Sequence, residues 1–490
     1  MYKDGRLTIT DFVKAQGQSP FVGFGVVRNC EVFDNPGIAK IAKNPGSVTG
    51  YSGIEAFPVK RLTASNGDEY LLTSSILSTP GVSSLYKNQT LLTTFTGNPV
   101  AYDMIEYKGY ILVTLDGNIF AYQLSSGRKC FNWKTGLSTG YYMKILVGQD
   151  DIVYITNGNT IASLSSFVAG SVASDPTATL NASALDLPDG QYAVTMVELG
   201  NLLLIGTQGG SNWSQRIYQR VANVYPWDRT SASFRIPVQI QEAGVHAMLQ
   251  VNNVVYVCAG GAGSIYVTDG TSYRKIGRIP WTDDRTLRDY ISYLPNAIST
   301  NINNNLLIGA SKSSGNVDQI GVFEMEISEG YPVCLKQTIS TGNFGNTVSI
   351  GFISTGAQGE TYIGWADGAS FGVDQVGVFA YTGFKAVIES PLYRVGTSDA
   401  KKTFQHGEYL VAKPLTTSHR IRISYRKNLQ DDYTVLGTFT YSSDGSVVSR
   451  QFKASIDSAE LVQVRIELDQ DDFSSPAPEW DLELIGIRLW

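Results

Sequence analysis

The side chains that most often do chemistry are sparse and scattered. The three histidines, His246, His406 and His419, stand alone. None falls in the H-x-x-x-H or H-E-x-x-H spacing that would set two imidazoles on one helix face for a metal. Each reads as a surface or structural histidine. Cys30, Cys130, Cys258 and Cys334 lie 76 or more residues apart, so no C-x-x-C pair is available for zinc or redox work, and buried small hydrophobes are expected. There is no G-x-S-x-G elbow for a nucleophile and no G-x-x-x-x-G-K-[ST] phosphate cradle. Gly260-Gly261-Ala262-Gly263 follows one strand-like run and precedes another, so it reads as a tight turn; a phosphate loop would feed a helix N-terminus.

Carboxylates are the remaining candidates, because glycoside hydrolysis needs two of them across one bond. Asp318 and Asp374 recur one period apart, but a residue repeated in every copy holds a fold, whereas a catalytic pair needs asymmetry. Asp469-Gln470-Asp471-Asp472 lacks the D-x-[DN]-x-[DN]-G order of a Ca²⁺ loop and reads as a solvated hairpin tip. Ser442-Ser443-Asp444-Gly445 begins like a sialidase box and ends without its Trp. Gly210-Ser211-Asn212-Trp213-Ser214 and Tyr225-Pro226-Trp227 could be loop tips that stack on sugars, against the commoner use of such aromatics in packing. The expectation is therefore no catalytic, cofactor-binding or metal-binding residue, and no enzyme.

The elements that would position any site are clearer. From about residue 70 one pattern recurs: an apolar strand, a small-residue turn, then a second apolar strand with aromatics. Lys108-Gly109-Tyr110-Ile111-Leu112-Val113-Thr114-Leu115, Asp116-Gly117-Asn118 and Ile119-Phe120-Ala121-Tyr122 form its clearest copy, with Asp-Gly expected to supply the positive φ angles of a two-residue hairpin turn. Aligning Leu71, Ile111, Ile152, Leu202, Val254, Leu306 and Thr361 gives spacings of 40, 41, 50, 52, 52 and 55 residues, the period of propeller blades. Val317-Asp318-Gln319-Ile320-Gly321-Val322-Phe323 and Val373-Asp374-Gln375-Val376-Gly377-Val378-Phe379 agree at six of seven positions. Seven copies are enough to close a ring.

Repetition stops near Tyr381. Beyond it, polar and apolar residues alternate in Arg420 to Tyr425 and in Val462 to Leu468, as in strands with one wet face. Asp444-Gly445 marks a hairpin turn among them. The first sixty residues are broken by Ser19-Pro20, Asn35-Pro36-Gly37 and Asn44-Pro45-Gly46 and read as an arm or cover. The expected fold is all-β, with an extended N-terminal arm over 1–60, a seven-bladed β-propeller over 61–384 and a β-sandwich over 385–490.

Composition agrees with this. The chain has 490 residues, of which 17% are charged and 49 are Gly, with 27 Tyr. The usual charged share is about 25% and the usual Gly share about 7%, so strands and tight turns are favoured over helical bundles. At 43% hydrophobic the chain is neither disordered nor, lacking a Gly period, collagenous. A net charge of −6 argues against general adhesion to nucleic-acid phosphates. The start, Met1-Tyr2-Lys3-Asp4-Gly5-Arg6-Leu7-Thr8, has no apolar signal-peptide run, and no stretch is long enough to span a membrane. No signal peptide and no membrane insertion are expected.

Two resemblances follow from particular residues. Asp116 through Ser126-Gly127-Arg128 to Trp133 resembles one repeat of quinoprotein-type propellers, but the Trp does not recur and no quinone is expected. More of the layout resembles virion propeller proteins of tailed bacteriophages. At the N-terminal end, Asn29-Cys30-Glu31-Val32-Phe33-Asp34-Asn35-Pro36-Gly37-Ile38-Ala39-Lys40 is similar to their opening, where an N-x-[ED] strand runs into a Pro-Gly turn and a lysine. Glu389-Ser390-Pro391-Leu392, Ile423-Ser424-Tyr425-Arg426 and Ser474-Ser475-Pro476 are similar to their C-terminal part.

The resemblance implies a structural component of the virion tail, of the nozzle or hub type, in which several copies ring a DNA channel. It implies a homo-oligomer that meets other tail proteins (adaptor, fibre or tailspike), with at most passing contact with phage DNA. The chain would be made in the host cytoplasm and located in the virion. The alternatives are a receptor- or glycan-binding tail protein whose sandwich is the lectin-like part, and, less favoured, a polysaccharide hydrolase.

Overall fold

The computed structural model describes all residues except 1, 4–5, 11–25, 34–36, 43–44, 78–81, 96, 98, 210–221, 243, 261–262, 280–289, 315–319, 328–330, 332, 338, 342–347, 357–358, 377–384, 398, 429, 442–446 and 471–481. The chain divides into two compact units. One comprises Ser47–Gly321 and Asn343–Gln375; the other comprises Met1–Gly46, Val322–Gly342 and Val376–Trp490.

The first unit carries the repeat as a seven-bladed β-propeller. Five four-stranded antiparallel sheets follow one another along the chain, with inner strands Phe57–Thr63, Ala101–Tyr107, Ile145–Val147, Gln191–Leu199 and Val245–Val251. In the sixth sheet, Tyr290–Ser292 and Ile298–Thr300 both pair with Leu306–Ser314; in the seventh, Val348–Thr355 pairs with Thr361–Asp367. Inner strands pack on those of the next blade, except that Gln191–Leu199 packs on the third blade's second strand, Val153–Asn157; Val348–Thr355 returns to Phe57–Thr63 to close the ring. The Val48 N–H donates to Val373 O at 2.8 Å, so chain preceding the first blade is tied to the last.

The aligned positions Leu71, Ile111, Leu202, Val254, Leu306 and Thr361 all lie in second strands, and Ile152 immediately precedes one. Second strands are buried on both faces, Tyr110–Leu115 and Leu202–Gly209 throughout, and so read as continuous apolar runs. Glycines in them make room for the neighbouring blade. A Cβ on Gly206 would lie 2.4 Å from Val245 Cγ1, one on Gly309 2.5 Å from Ile350 Cγ2, and one on Gly364 3.0 Å from Pro58 Cβ.

One turn departs from expectation. At Asp116-Gly117 only Gly117 has positive φ, at 81°; the Asp116 carboxylate instead accepts from the Tyr102 hydroxyl and the Gly140 N–H. Among the described residues, the two-residue turns with both φ angles positive are Lys108-Gly109 and Asn88-Gln89.

The second unit is a β-sandwich. One sheet runs Tyr2–Lys3, Arg6–Ile9, Glu483–Leu489, Lys402–Val411, Ser449–Ala459. The other contains Val333–Gln337, Val26–Arg28, Ala386–Glu389, Leu461–Gln470, His419–Arg426 and Thr434–Thr440. The alternation in the last strands is realised: Ile421, Ile423, Val464, Ile466 and Leu468 enter one core, while Arg420, Arg422, Arg465, Glu467 and Asp469 face out. The N-terminal arm is more deeply incorporated than its turn residues suggest. Leu7, Ile9, Val27, Cys30 and Ile41 are fully buried in that core, and Leu7 pairs with Leu489.

Candidate functional site: a charged cluster inside the propeller ring

The inner strands share a local distortion. In five of the seven sheets the register slips near the start of the inner strand, at Pro58/Lys60, Ala101/Asp103, Ala193/Thr195, Val245/Ala247 and Ile350/Phe352. Such β-bulges re-aim the side chains beside them. The sixth sheet goes further: its inner strand is cut into two pieces by Tyr293–Ala297, and the insertion carries Asn296 to the inner strands of other blades.

There Asn296 meets Lys60, Asp103 and Lys144. Its Nδ2 donates to Asp103 Oδ1 at 3.0 Å and to Val59 O at 3.1 Å, and lies 3.3 Å from the Tyr142 hydroxyl. Its Oδ1 accepts from Lys60 Nζ at 3.4 Å and from Lys144 Nζ. Its backbone carbonyl accepts from the Ile353 N–H at 3.0 Å. One asparagine thus bonds to the first, second, third and seventh blades.

Asp103 is the anion of the cluster and is 1% exposed. Lys144 Nζ lies 3.1 Å from Oδ2 and Lys60 Nζ 3.7 Å from Oδ1. The N–H groups of Met104 and Ile145 also donate to the carboxylate, at 3.0 and 3.2 Å. Burial pushes its carboxyl up, but the ammoniums of Lys144 and Lys60 outweigh this and hold it below the ordinary carboxylate value. Burial brings Lys144 down to about 8 even though Asp103 works the other way. The Lys60 side chain is 28% exposed and forms the solvent side of the cluster.

Chemically this is a pinned anion. Both oxygens of Asp103 are occupied by cations and amides, an arrangement that joins blades and leaves the carboxylate no spare lone pair directed at a substrate. The cluster was not visible in the sequence. Lys60, Asp103, Lys144 and Asn296 fall in segments with no shared pattern, and only the bulges and the inserted loop bring them together.

The residues singled out from the sequence are dispersed. His246 is buried between Gly244 and Gly260, whose Cβ atoms would lie 2.4 and 2.3 Å from its ring. His419 is buried and its Nδ1 accepts from the Thr416 N–H; His406 stacks on Trp490. Asp374 is fully buried in Ser370–Val376, while Asp318 lies outside the described residues. So do Trp213, Asp444-Gly445, Asp471 and Asp472. Asp469 is not at a hairpin tip but inside Leu461–Gln470, paired with Lys385 and Arg420. Tyr225 and Trp227 are buried in Ala222–Trp227, not exposed at a tip, and pack on Phe234 and Tyr154. The four cysteines are buried thiols. Among the described residues no group of His, Cys, Asp or Glu could hold a metal, and no helix is long and apolar enough to cross a membrane.

No protein-family profile matches the chain, and no curated protein does. Among solved structures, the extracellular domain of a hybrid two component system from B. thetaiotaomicron is similar over 76% of this chain, at 13% identity and a TM-score of 0.45. The present chain spans 43% of that one. The Dos1 propeller is similar over 68% of this chain and 94% of its own, at 10% identity and a TM-score of 0.43. A glycoside hydrolase family 43 arabinoxylan arabinofuranohydrolase from Bacillus subtilis is similar over 92% of this chain and 98% of its own, at 12% identity and a TM-score of 0.31.

Proposed function

We propose that the chain is a non-enzymatic structural protein of a tailed-bacteriophage virion, a subunit of a tail ring of nozzle or hub type that surrounds the DNA channel and meets neighbouring tail proteins. The observation that carries this reading is the meeting of the two chain segments that resemble such proteins. Asn29, in the left-handed region at φ 54°, donates from Nδ2 to Lys385 O at 3.3 Å. Cys30–Glu31 pairs with Ala39–Ile41, and the Glu31 carboxylate holds Lys40 at 3.2 Å. Val26–Arg28 pairs with Ala386–Glu389, which leads into Ser390, whose hydroxyl accepts from the Val464 N–H. Motifs more than 300 residues apart therefore belong to one piece of architecture, as expected of a shared structural plan. The saturated Asp103 further supports a structural use of the ring interior.

The test is peptide mass spectrometry of purified particles of the phage that encodes the chain. A small fixed copy number per particle, such as roughly six or twelve, is expected, because a closed ring of identical subunits has a set number of members. Absence from particles overturns the reading.

A further inference from the structure

We propose that the outer face of the sandwich binds a carboxylate-bearing sugar through a hollow between Lys385, Arg420 and Arg422. This goes beyond the tail reading and does not depend on it. The hollow, of about 200 Å³, is lined by those three cations with Thr438, Glu467 and Asp469. The strand register builds it: Arg420 stands opposite Asp469, Arg422 opposite Glu467 and Thr438, and Lys385 precedes Ala386, the partner of Leu468. All six side chains leave the sheet on the face away from the buried core.

Two features point to a ligand beyond a solvated surface. The internal pairs are loose: Arg420 and Lys385 lie 3.6 and 3.8 Å from Asp469, and Arg422 lies 3.8 Å from Glu467. The three cationic side chains stay 54%, 47% and 46% exposed, whereas Arg465, beside them, is engaged with Glu467 at 3.0 Å. Guanidinium donors that are not saturated by their neighbours suit a planar carboxylate held bidentately. Second, three cations face two carboxylates, so the hollow carries one net positive charge in a chain of net charge −6; its complement is a monoanion.

The chemistry of the rim separates the possible anions. Glu467 and Asp469 would repel the close-spaced phosphates of a nucleic acid but accept hydrogen bonds from hydroxyl groups. A carboxylate flanked by hydroxyls on one ring, as in a uronic or sialic acid unit, uses both halves of the lining. The volume is below the range of about 300–1,000 Å³ usual for larger ligands and suits a single such unit of a longer chain.

The experiment is calorimetric titration of the full chain with a galacturonic acid oligomer and with sialyllactose, with neutral galacto-oligosaccharide, inorganic phosphate and single-stranded DNA as the other arms. Binding of at least one acidic sugar is expected, weakening as salt rises, with no heat from the neutral sugar. In the double variant Arg420→Gln, Arg422→Gln the affinity should fall at least about tenfold, the loss of one charge-assisted contact, with an unchanged melting temperature. The proposal is overturned if neither acidic sugar binds, if the double variant binds as well as the wild type, or if phosphate and DNA bind as tightly as the sugars.

Discussion

Lys144 Nζ stands 3.1 Å from Asp103 Oδ2, and the two residues belong to different blades of one ring. Lys144 precedes the inner strand of the third blade and Asp103 lies in that of the second. Removing one partner of a buried ion pair leaves the other charged and unsolvated, which costs about 3–5 kcal/mol. Asp103→Ala should therefore lower the free energy of unfolding by about that much, read from the urea midpoint at constant slope. Asp103→Asn, which keeps the shape and one acceptor, should cost less. Equal and small losses in both variants would show that the pair contributes nothing to joining the blades.

The same pair sets a pH dependence. For Lys144 the folded value of about 8 lies below the ordinary 10.5. Between these limits the unfolded chain binds more protons than the folded one, so the contribution of this group to stability rises with pH and is level on either side. Against Lys144→Met, the wild type should gain stability from pH 8 to 10.5, with a limiting slope of about 1.4 kcal/mol per pH unit. Asp103 has the same sense in a lower pH window: its folded value is depressed, so its contribution is present above the unfolded carboxylate range and is lost as the pH falls through the folded value. Parallel unfolding-versus-pH curves for wild type and Lys144→Met would contradict the assignment.

Ring closure makes a sharper steric test. A Cβ on Gly351 would lie 1.9 Å from the carbonyl oxygen of Pro58, which is backbone and cannot turn aside. On Gly206 it would meet Val245 Cγ1 at 2.4 Å, a methyl that can give way. Gly351→Ala should cost about 3 kcal/mol and Gly206→Ala about 1 kcal/mol, the spread expected of overpacking, measured by chemical denaturation. The reverse order would place the tight junction elsewhere in the ring.

These examples separate what the sequence carried from what it did not. Blade number and period were legible because second strands such as Tyr110–Leu115 are buried on both sides and must be apolar throughout. The wet and dry faces of His419–Arg426 and Leu461–Gln470 were legible because a two-residue alternation survives wherever only one face is buried. The inner strands were not: FPVKRLT, AYDMIEY and VHAMLQV share no pattern, because each bulge inserts a residue and shifts the phase. Asn296 reaches the cluster from an insertion in a different blade, and no local rule marks it. The pairing of Leu7 with Leu489 was hidden for a related reason: short arm strands between turn residues look like a cover until their partners are known.

The third blade carries a hairpin that clasps the second. Between Thr160–Val168 and Thr177–Asp186 the chain runs past its own sheet. Trp133 Nε1 donates to Pro176 O at 2.6 Å, Gln123 Nε2 to Gly170 O at 3.2 Å, and Arg128 holds Asp175 at 2.6 Å. Trp133→Phe keeps the ring and loses the Pro176 bond. Thermolysin should then cut faster near Val168 and Val172, which are already exposed, while the melting temperature falls only a few degrees, since one hydrogen bond is worth about 1 kcal/mol. Unchanged cleavage would mean that the hairpin is held by its own sheet alone.

Asn29 tests the architecture at the motif itself. It is 7% exposed and has φ 54°, a conformation that asparagine tolerates and most residues resist. Its N–H donates to Leu335 O and its carbonyl accepts from the Ala42 N–H, both at 2.8 Å, while its side chain reaches Lys385 O. Asn29→Gly keeps the backbone free to adopt this turn and loses only the side-chain bond; Asn29→Ala loses the bond and adds left-handed strain of about 1–2 kcal/mol. The alanine variant should therefore unfold at lower denaturant than the glycine variant, and both below the wild type. If alanine were the milder change, the left-handed turn would not be what selects asparagine there, and the side chain would have to be explained by its contact with Lys385 alone.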